Sequence, residues 1–328
     1  MNASLCSPQD SYLSTHGFLL AFLHVLTLVE VPLDVIGTWC ILFKTPEKMK
    51  NVKWILLHLH FWTASMGITT GLLISPFLVL PAMAGYPLGW LSRWGVSTQV
   101  QTYLNISEMA AIGCSIVLMM ESRFNTFMGS STWKSNRYLF HCSHFLYCFT
   151  FLIPQFMFFV PDQKTSISKC PYFPCNLPIP EGAFVFSENA WYLATSILFL
   201  MCFMVISGVY FAYMLQRHIQ KHANLSPKSK RMHSNLQTVL LLQCVIPITA
   251  LCIPYSYFMF SMWFEYHNQA LTNVCYCVMS THGALSAIVL LSIHPPYKEA
   301  VTQFVPSLNR YLTKRRKPEP RPSVQCVF

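Results

Sequence analysis

Charged side chains are scarce in this sequence. Asp, Glu, Lys and Arg make up only 10% of the 328 residues, whereas a soluble domain usually carries about 25%. Hydrophobic residues make up 53%, and the mean hydropathy is +0.41. So few polar groups could not cover the surface of a water-soluble fold. The composition therefore excludes a soluble globular protein and predicts an integral membrane protein.

The sequence also lacks catalytic motifs. It contains no HExxH, GxSxG or paired-aspartate motif. His58 and His60 are spaced by two residues, which places them on different sides of a helix and makes them poor joint metal ligands. Together with Glu30, Asp34 and Glu108 they would give a conceivable metal site for an intramembrane hydrolase, but no motif supports one. We therefore predict no enzymatic activity, no metal and no cofactor.

A basic stripe interleaved with aromatic residues is likewise missing. The net charge is +10, but the basic residues lie in short segments between apolar runs, where they orient membrane proteins. We therefore predict no nucleic-acid partner. The first 16 residues lack a basic segment followed by a cleavage site, so we expect no cleaved signal peptide. A transporter built from inverted repeats would show symmetry between its two halves. This sequence shows neither such symmetry nor a repeat of fixed period.

Long apolar windows dominate what is present. About 20 residues at 1.5 Å each span the roughly 30 Å hydrocarbon core of a bilayer, and seven windows are near or above that length. They predict an all-α membrane protein with a seven-transmembrane helix bundle over 17–293, between an N-terminal tail over 1–16 and a C-terminal tail over 294–328. The windows are 17–43, 54–81, 98–122, 138–160, 190–215, 236–262 and 270–293.

The distribution of Lys and Arg predicts the orientation. Only Arg93, Lys164 and Lys169 fall on one side of the predicted membrane, which leaves 19 of the 22 basic residues on the other. By the positive-inside rule, the N-terminus is extracellular and the C-terminus is cytosolic. Beyond the seventh window, residues from Tyr297 to Leu312 recur at helical spacing, which predicts an amphipathic helix on the inner leaflet, with membrane lipid as a partner.

This orientation sorts the sites of modification. Asn2, in an Asn-Ala-Ser sequon, lies outside and is a predicted glycosylation site. Three cysteines also lie outside, Cys6, Cys170 and Cys175, and one disulfide among them is consistent with an oxidising compartment. The sequence leaves their pairing open.

The third window is the predicted centre of the bundle. It carries Glu108 near its middle, which should face protein or water because a buried carboxylate is costly in lipid. It ends with Glu121 and Arg123, and Arg123 is predicted to mark the cytosolic end of the helix. Glu121 lies two positions from Arg123, on roughly the other side of the helix, and is therefore a poor partner for it.

Other polar and proline residues leave alternatives open. Glu30 and Asp34 lie one turn apart in the first window. They form either a cation or ligand-amine site, or a switch, or, as we favour, hydrogen bonds between helices. His282 either lines a cavity or bonds a neighbour. Pro247 and Pro254 in the sixth window permit a kink that would let its cytosolic end swing.

Four stretches of the chain resemble a known family. They are CILFKTPEKMKNVKW (Cys40–Trp54), LHFW (Leu59–Trp62), SPFLVLPAMAGYPLG (Ser75–Gly89) and IHPPYK (Ile293–Lys298). They are similar to the nematode serpentine chemoreceptors of class H, the Srh family of the Str superfamily. The resemblance covers essentially the whole chain. It implies a G-protein-coupled receptor for small molecules, in the plasma membrane and specifically the ciliary membrane of chemosensory neurons.

The resemblance also implies roles for two segments. Glu121-Ser122-Arg123 stands where rhodopsin-like receptors carry an acid-arginine-tyrosine motif, and His294, Pro295, Pro296 and Tyr297 stand where they carry Asn-Pro-x-x-Tyr. Both segments depart from those patterns. The outer end of the third window also lacks the cysteine that usually ties it to the long outer loop.

These arguments predict two functional regions. An outer cavity among the third, fifth, sixth and seventh helices is predicted to bind the ligand, with Gln101, Glu108, Trp191, Tyr255, Tyr257 and His282 as its candidate residues. The cytosolic helix ends are predicted to contact a heterotrimeric G protein, through Glu121, Arg123, Arg217, Lys221, Lys230 and Arg231. The alternatives are a seven-helix ligand-gated cation channel of the odorant-receptor type, whose internal N-terminus the charge distribution opposes, and a transporter.

Overall fold

The computed structural model describes residues 11–128, 131–154, 162–173, 181–187, 190–221 and 227–304. Asn2, Cys6, Cys175 and the tail beyond 304 lie outside these residues. The described helices are α1 (His16–Lys44), α2 (Lys50–Ile68), α3 (Trp90–Arg93), α4 (Thr98–Met128), α5 (Ser131–Thr150), α6 (Gln163–Lys169), α7 (Ala190–Lys221), α8 (Pro227–Trp263), α9 (Gln269–Ser280), α10 (His282–Ile293) and α11 (Pro295–Phe304). The strands are β1 (Pro76–Val79), β2 (Ala84–Pro87) and β3 (Phe184–Val185).

The long helices form the predicted seven-helix bundle. The seven spans are α1, α2, α4, α5, α7, α8 and the pair α9–α10, which together make the seventh. Among the described residues, four segments are long and apolar enough to cross a membrane: His16–Lys44, Thr98–Thr126, Trp191–Arg217 and Gln269–Ile293. Helix α4 packs against α2, α5 and α7.

Local sequence explains several helix boundaries. Thr15 accepts a hydrogen bond from the Phe18 amide at the start of α1, and Asn268 caps α9 through the Leu271 amide. Helix α10 ends at Ile293, and Pro295 begins α11, as the proline pair predicts. Helix α11 buries Tyr297 and leaves the following Lys298 exposed, so it is amphipathic over its described length.

The second window departs from the predicted single helix. Helix α2 ends at Ile68, a π-helical turn covers Thr69–Leu73, and β1 follows. Strand β1 pairs antiparallel with β2, and β2 pairs with β3. The prolines at both ends of the β1–β2 hairpin lack an amide hydrogen and cannot continue a helix. Hydropathy alone did not separate this hairpin from the helix, because both are apolar.

The sheet covers one end of the bundle. Gln269 Nε2 at the start of α9 donates to Leu78 O over 2.8 Å, and His267 Nδ1 lies 2.5 Å from Leu80 O. Asn273 Nδ2 donates to Leu13 O over 2.8 Å, so the first described residues reach the same end. We call this the outer end, because the charge distribution predicts that it is extracellular, and we call the opposite end the inner end.

The basic segment 216–235 is also more helical than predicted. Helix α7 continues to Lys221, and α8 begins at Pro227. Proline is favoured at the first helical position because its missing amide hydrogen is not needed there. Lys221 therefore lies in the last turn of α7, and Lys230 and Arg231 lie in the first turns of α8. The prediction of a loop across this segment was wrong outside 222–226, which the structure does not describe.

Glu30 occupies a notch between two glycines. Its side chain is 1% exposed. A Cβ on Gly67 of α2 would lie 2.1 Å from Glu30 Oε1, and a Cβ on Gly283 of α10 would lie 1.7 Å from the same atom. The carboxyl group therefore packs against two helices that approach closely because both positions lack a side chain.

We expect Gly283→Ala to lower the thermal stability of the purified protein and its surface expression, because the added methyl group overlaps Glu30. Overpacking of this kind costs about 1–3 kcal/mol. Thermal melting in detergent measures the effect. Glu30→Ala should restore much of the loss in the double variant. Gly208→Ala is the matched control, since its Cβ would meet its nearest heavy atom at 3.8 Å. Equal melting temperatures for Gly283→Ala and Gly208→Ala would contradict this prediction.

Candidate functional site

A cavity lies beneath the sheet at the outer end of the bundle. Its volume is about 130 Å³, on the order of the cavities that bind a benzene-sized molecule. Residues of α4, α7, α8 and α9 form its walls, and β1 and β2 close it from the outer side. Its apolar wall residues include Phe77, Ile106, Met109, Leu193, Ile197, Phe258 and Met262.

Two of the polar side chains that line this cavity, Gln101 and Tyr86, have unused hydrogen-bonding capacity. Gln101 is fully buried, and its Nε2 donates to Val96 O over 2.7 Å. Its Oε1 has no hydrogen-bond partner among the described residues, and the same holds for the hydroxyl of Tyr86 on β2. A buried polar atom without a partner costs about 1–3 kcal/mol. A ligand that hydrogen-bonds to these oxygen atoms would recover part of that cost.

The hydroxyl of Tyr86 is a neutral group. Burial raises the pKa of Tyr86 above its ordinary value, so the hydroxyl stays protonated at physiological pH. The ring of Tyr86 stacks on Phe77 across the β1–β2 pair, with centroids 5.0 Å apart. Sequence reasoning missed Tyr86 because it predicted a cavity formed by four helices alone. The run of three prolines at 76, 81 and 87 was the available signal for a turn there.

Two of the predicted ligand residues line the cavity. They are Gln101 and Tyr255. The hydroxyl of Tyr255 donates to Ala194 O over 2.8 Å and so connects α8 to α7. Their roles in binding remain predictions, but the structure brings them into one apolar chamber.

Two others point towards different parts of the bundle. Glu108 faces α2 and the π-helical turn after it, where Ser65 Oγ and Thr69 Oγ1 donate to its Oε1 over 2.6 and 2.9 Å. His282 is fully buried, and its Nδ1 lies 3.0 Å from Met279 O in the preceding turn. Neither residue lines the outer cavity.

The remaining two lie nearer the outer surface. Tyr257 donates to Asn268 O over 3.3 Å, at the start of α9. Trp191 is 53% exposed and lines a separate open groove together with Tyr172 and Glu265. The sequence could not separate these six residues, because it does not indicate how each helix is rotated about its axis.

A cluster of polar side chains joins α4 to α5 at the inner end. Glu121 is fully buried, and it accepts hydrogen bonds from Trp133 Nε1 over 2.9 Å and from Arg137 Nε and Nη2 over 3.1 and 2.8 Å. His141 Nε2 lies 2.9 Å from the second carboxylate oxygen. Trp133, Arg137 and His141 recur every four residues along one face of α5. The sequence argument that Glu121 does not pair with Arg123 agrees with this geometry.

Arg123 points elsewhere. Its Nη2 is buried, with no hydrogen-bond partner among the described residues. Burial, with the nearby positive charge of Arg123, lowers the pKa of His294 to about 4, so this ring just beyond α10 is neutral. Helix α4 continues past Arg123 to Met128, so the prediction that Arg123 ends the helix was wrong. Ring contacts of Phe124 with Trp133 of α5 and Phe211 of α7 explain the extension.

The end of the seventh span is tied to the first. Tyr297 is fully buried, its hydroxyl lies 2.7 Å from Thr45 Oγ1 after α1, and its ring lies 5.1 Å from that of His294. His294 is 2% exposed. The predicted motif His294, Pro295, Pro296 and Tyr297 is therefore a junction of α1, α10 and α11.

The structure describes only some of the other predicted side chains. Arg217 is exposed near the inner end of α7, and the side chains of Lys221, Lys230 and Arg231 lie outside the described residues. Cys170 is half-buried and forms no disulfide with a described cysteine, and burial raises the pKa of its thiol. Its pairing with Cys6 or Cys175 stays a prediction.

Comparisons with known proteins identify the family. Residues 14–307 match the family described as serpentine type 7TM GPCR chemoreceptor Srh. Serpentine receptor class H-72 of Caenorhabditis elegans is 22% identical over 314 residues, which cover 89% of this chain and 87% of that protein. The fold is similar to the crystal structure of squid rhodopsin, with a TM-score of 0.56 and 9% identity over 95% of this chain and 94% of that one. This chain therefore belongs to the Srh family of serpentine seven-transmembrane chemoreceptors and is a multi-pass membrane receptor of the G-protein-coupled type.

Proposed function

We propose that this receptor binds a small uncharged molecule in the outer cavity and activates a heterotrimeric G protein through its inner helix ends. It acts in the plasma membrane, specifically the ciliary membrane of a chemosensory neuron, with its N-terminus outside. The observation that carries the ligand assignment is the lining of the cavity. No Asp, Glu, Lys or Arg lies among the described residues that line it, and burying an unpaired charge there would be costly.

The unpaired oxygen atoms narrow the ligand class further. Apolar walls with a few convergent polar groups suit a small organic ligand. Gln101 Oε1 accepts only, whereas the Tyr86 hydroxyl both donates and accepts. A ligand with a hydroxyl or similar neutral hydrogen-bonding group on an apolar body satisfies both. The hairpin of β1 and β2 covers this chamber, so ligand entry requires this hairpin or its neighbours to move.

The proposed coupling face rests on the inner ends of α4, α7 and α8. The basic residues near these ends include Arg217 on α7 and the Lys and Arg residues at the start of α8. Arg123 lies on α4 beside the junction of α10 and α11. Helix α11 presents its exposed side next to this face, where we propose that it lies on membrane lipid.

A pair of tyrosine variants tests the cavity. We expect Tyr86→Phe to weaken the potency of a hydrogen-bonding agonist about two- to tenfold, since one hydrogen bond contributes about 0.5–1.5 kcal/mol. Tyr257→Phe removes the same oxygen atom from a residue outside the cavity lining and should leave potency unchanged. The measurement is a screen of small neutral compounds, followed by dose–response curves for G-protein activation at matched surface expression.

The dose–response curves of these two variants also distinguish between two possible positions of the ligand. A loss of potency in Tyr257→Phe but not in Tyr86→Phe would place the ligand nearer the start of α9 and would contradict the proposed cavity. Gln101→Leu provides a second test, with an expected loss for agonists that carry a hydroxyl group and little change for their methyl analogues. An unchanged response in both lining variants would overturn the assignment.

A further inference from the structure

Three potential metal ligands meet in the bundle, away from both regions described above. Cys114 comes from α4, and His144 and Cys148 come from α5. Their donor atoms all lie within 4.8 Å of one another. The three residues are 1%, 4% and 3% exposed, respectively. None of them lines the outer cavity or contacts Glu121.

Helix geometry explains why these side chains converge. His144 and Cys148 are four residues apart, so they project from the same face of α5 one turn apart. That face packs against α4, where Cys114 is buried. The imidazole of His144 is held between Phe140 and Phe203, whose ring centroids lie 5.6 and 5.1 Å away in stacked arrangements. The ring is therefore fixed in place by its aromatic neighbours.

The buried imidazole of His144 has the thiols of Cys114 and Cys148 as polar neighbours in the described part of the chain. Neither ring nitrogen of His144 has a hydrogen-bond partner among the described residues. A buried polar group in that condition is destabilising unless another group satisfies it. The two cysteine thiols beside it are weak hydrogen-bonding groups, but their deprotonated sulfurs are strong ligands for soft metal ions.

We propose that Cys114, His144 and Cys148 form a binding site for a soft d¹⁰ metal ion, with Zn²⁺ as its favoured occupant. Thiolate and imidazole ligands suit Zn²⁺ and Cu⁺, whereas Mg²⁺ and Ca²⁺ require oxygen ligands that this cluster does not offer. Zn²⁺ with two thiolates and a neutral imidazole has no net charge, which the low-dielectric interior favours over a charged complex. Cu⁺ with the same ligands leaves one negative charge.

Binding would connect two helices. Zn²⁺ displaces the two thiol protons, which leave to solvent, and its bonds to sulfur and nitrogen join α4 to α5. The Glu121 cluster joins the same two helices closer to the inner end. Because metal binding to the folded state alone raises stability, occupancy should raise the melting temperature of the receptor.

The full-length receptor, purified in lipid nanodiscs with a phosphine reductant, provides the test. After incubation with ZnCl₂ and removal of free metal, elemental analysis should find one Zn²⁺ per protein. Co²⁺ should give the thiolate charge-transfer absorption of a cysteine site. His144→Phe and Cys148→Ser should each lower Zn²⁺ affinity at least tenfold, and Cys40→Ser, which alters a buried thiol of α1, should have no effect. A parallel titration with Cu⁺ against a chelator of known affinity identifies the preferred ion.

His144→Phe keeps an aromatic ring between Phe140 and Phe203, so the variant should fold. Cys114→Ala is a second variant with a small buried side chain on the other helix. If the reduced wild-type receptor binds no Zn²⁺ or Cu⁺, or if the variants bind as the wild type does, the proposed site is wrong. A Cys114–Cys148 disulfide in peptide maps of the unreduced protein, with no metal in the reduced form, would also overturn it.

Discussion

Arg123→Ala should abolish G-protein activation while ligand binding and surface expression stay close to wild type. Arg123 lies at the inner end of α4, and its Nη2 is buried with no hydrogen-bond partner among the described residues. Its removal therefore breaks no described ion pair, and the fold should tolerate alanine. A guanidinium group is always charged at physiological pH and offers donors in a planar fork. The Nη2 of Arg123, which has no hydrogen-bond partner among the described residues, is available to a partner that docks on the inner end.

The proposed activation step explains the size of the effect. Helix α8 contains Pro247 and Pro254, and each proline removes one backbone hydrogen bond from the helix. Outward movement of the inner end of α8 would open a cleft beside Arg123. A G protein that enters this cleft would contact the guanidinium group directly. Without Arg123, we expect the agonist to bind but the signal to be lost.

Arg123→Lys distinguishes coupling from simple anchoring in the membrane. A lysine can also reach the lipid headgroups, so anchoring predicts full recovery with Lys. Coupling predicts only partial recovery, since an ammonium group does not reproduce the guanidinium fork. The measurement combines radioligand or fluorescent agonist binding with G-protein nucleotide exchange. Arg93→Ala, an exposed arginine of α3 at the outer end, is the matched control and should signal normally. Full activation by well-expressed Arg123→Ala would end the coupling hypothesis.

Glu121→Gln should act on stability instead. The carboxylate of Glu121 is fully buried, and its partner Arg137 has a side chain only 25% exposed. Breaking a buried charge pair by removing one partner costs about 3–5 kcal/mol, because the remaining charge is left unpaired. The Gln amide keeps one acceptor oxygen in place of two, so either Trp133 at Oε1 or His141 at Oε2 also loses its acceptor. We expect a large fall in melting temperature and in the amount of receptor at the cell surface.

Two companion variants make this prediction specific. The double variant Glu121→Gln/Arg137→Gln should recover part of the stability, since it removes both charges. Glu47→Gln is the control on the surface, where Glu47 lies 3.8 Å from Lys50 and the side chains are 90% and 72% exposed. Exposed pairs of this kind contribute about 0–1 kcal/mol. If Glu121→Gln melted at the same temperature as Glu47→Gln, the cluster would not be a stabilising element.

The contrast between these two residues follows from helix geometry. Glu121 and Arg123 are separated by two positions and point to different sides of α4. One side faces α5, where basic and aromatic side chains recur at each turn. The other faces the junction around His294. Glu121 and Arg123 therefore have separate expected roles. Glu121 stabilises the fold, and Arg123 takes part in signalling.

The sequence by itself determined the class of this protein. Composition and window length predicted a seven-helix membrane bundle, because spanning a bilayer requires a run of apolar residues that is continuous in the chain. Stretches such as Ile293–Lys298, which carry the family resemblance, are also local features of the chain. The family match over residues 14–307 confirms that resemblance. The end of α10 was predictable for the same reason, because the residue before a proline disfavours the helical conformation, and His294 before Pro295 is extended.

Only the tertiary structure decided which side chains meet. In a membrane the lipid-facing side of a helix is as apolar as the packed side, so hydrophobic periodicity does not indicate the buried face. Helix α1 shows this, with Leu23 fully buried and Leu28 76% exposed. The sequence therefore could not place Tyr86 in the outer cavity or Glu121 against Arg137. It also could not bring Cys114 to His144 and Cys148, because their meeting depends on the rotation of α4 against α5.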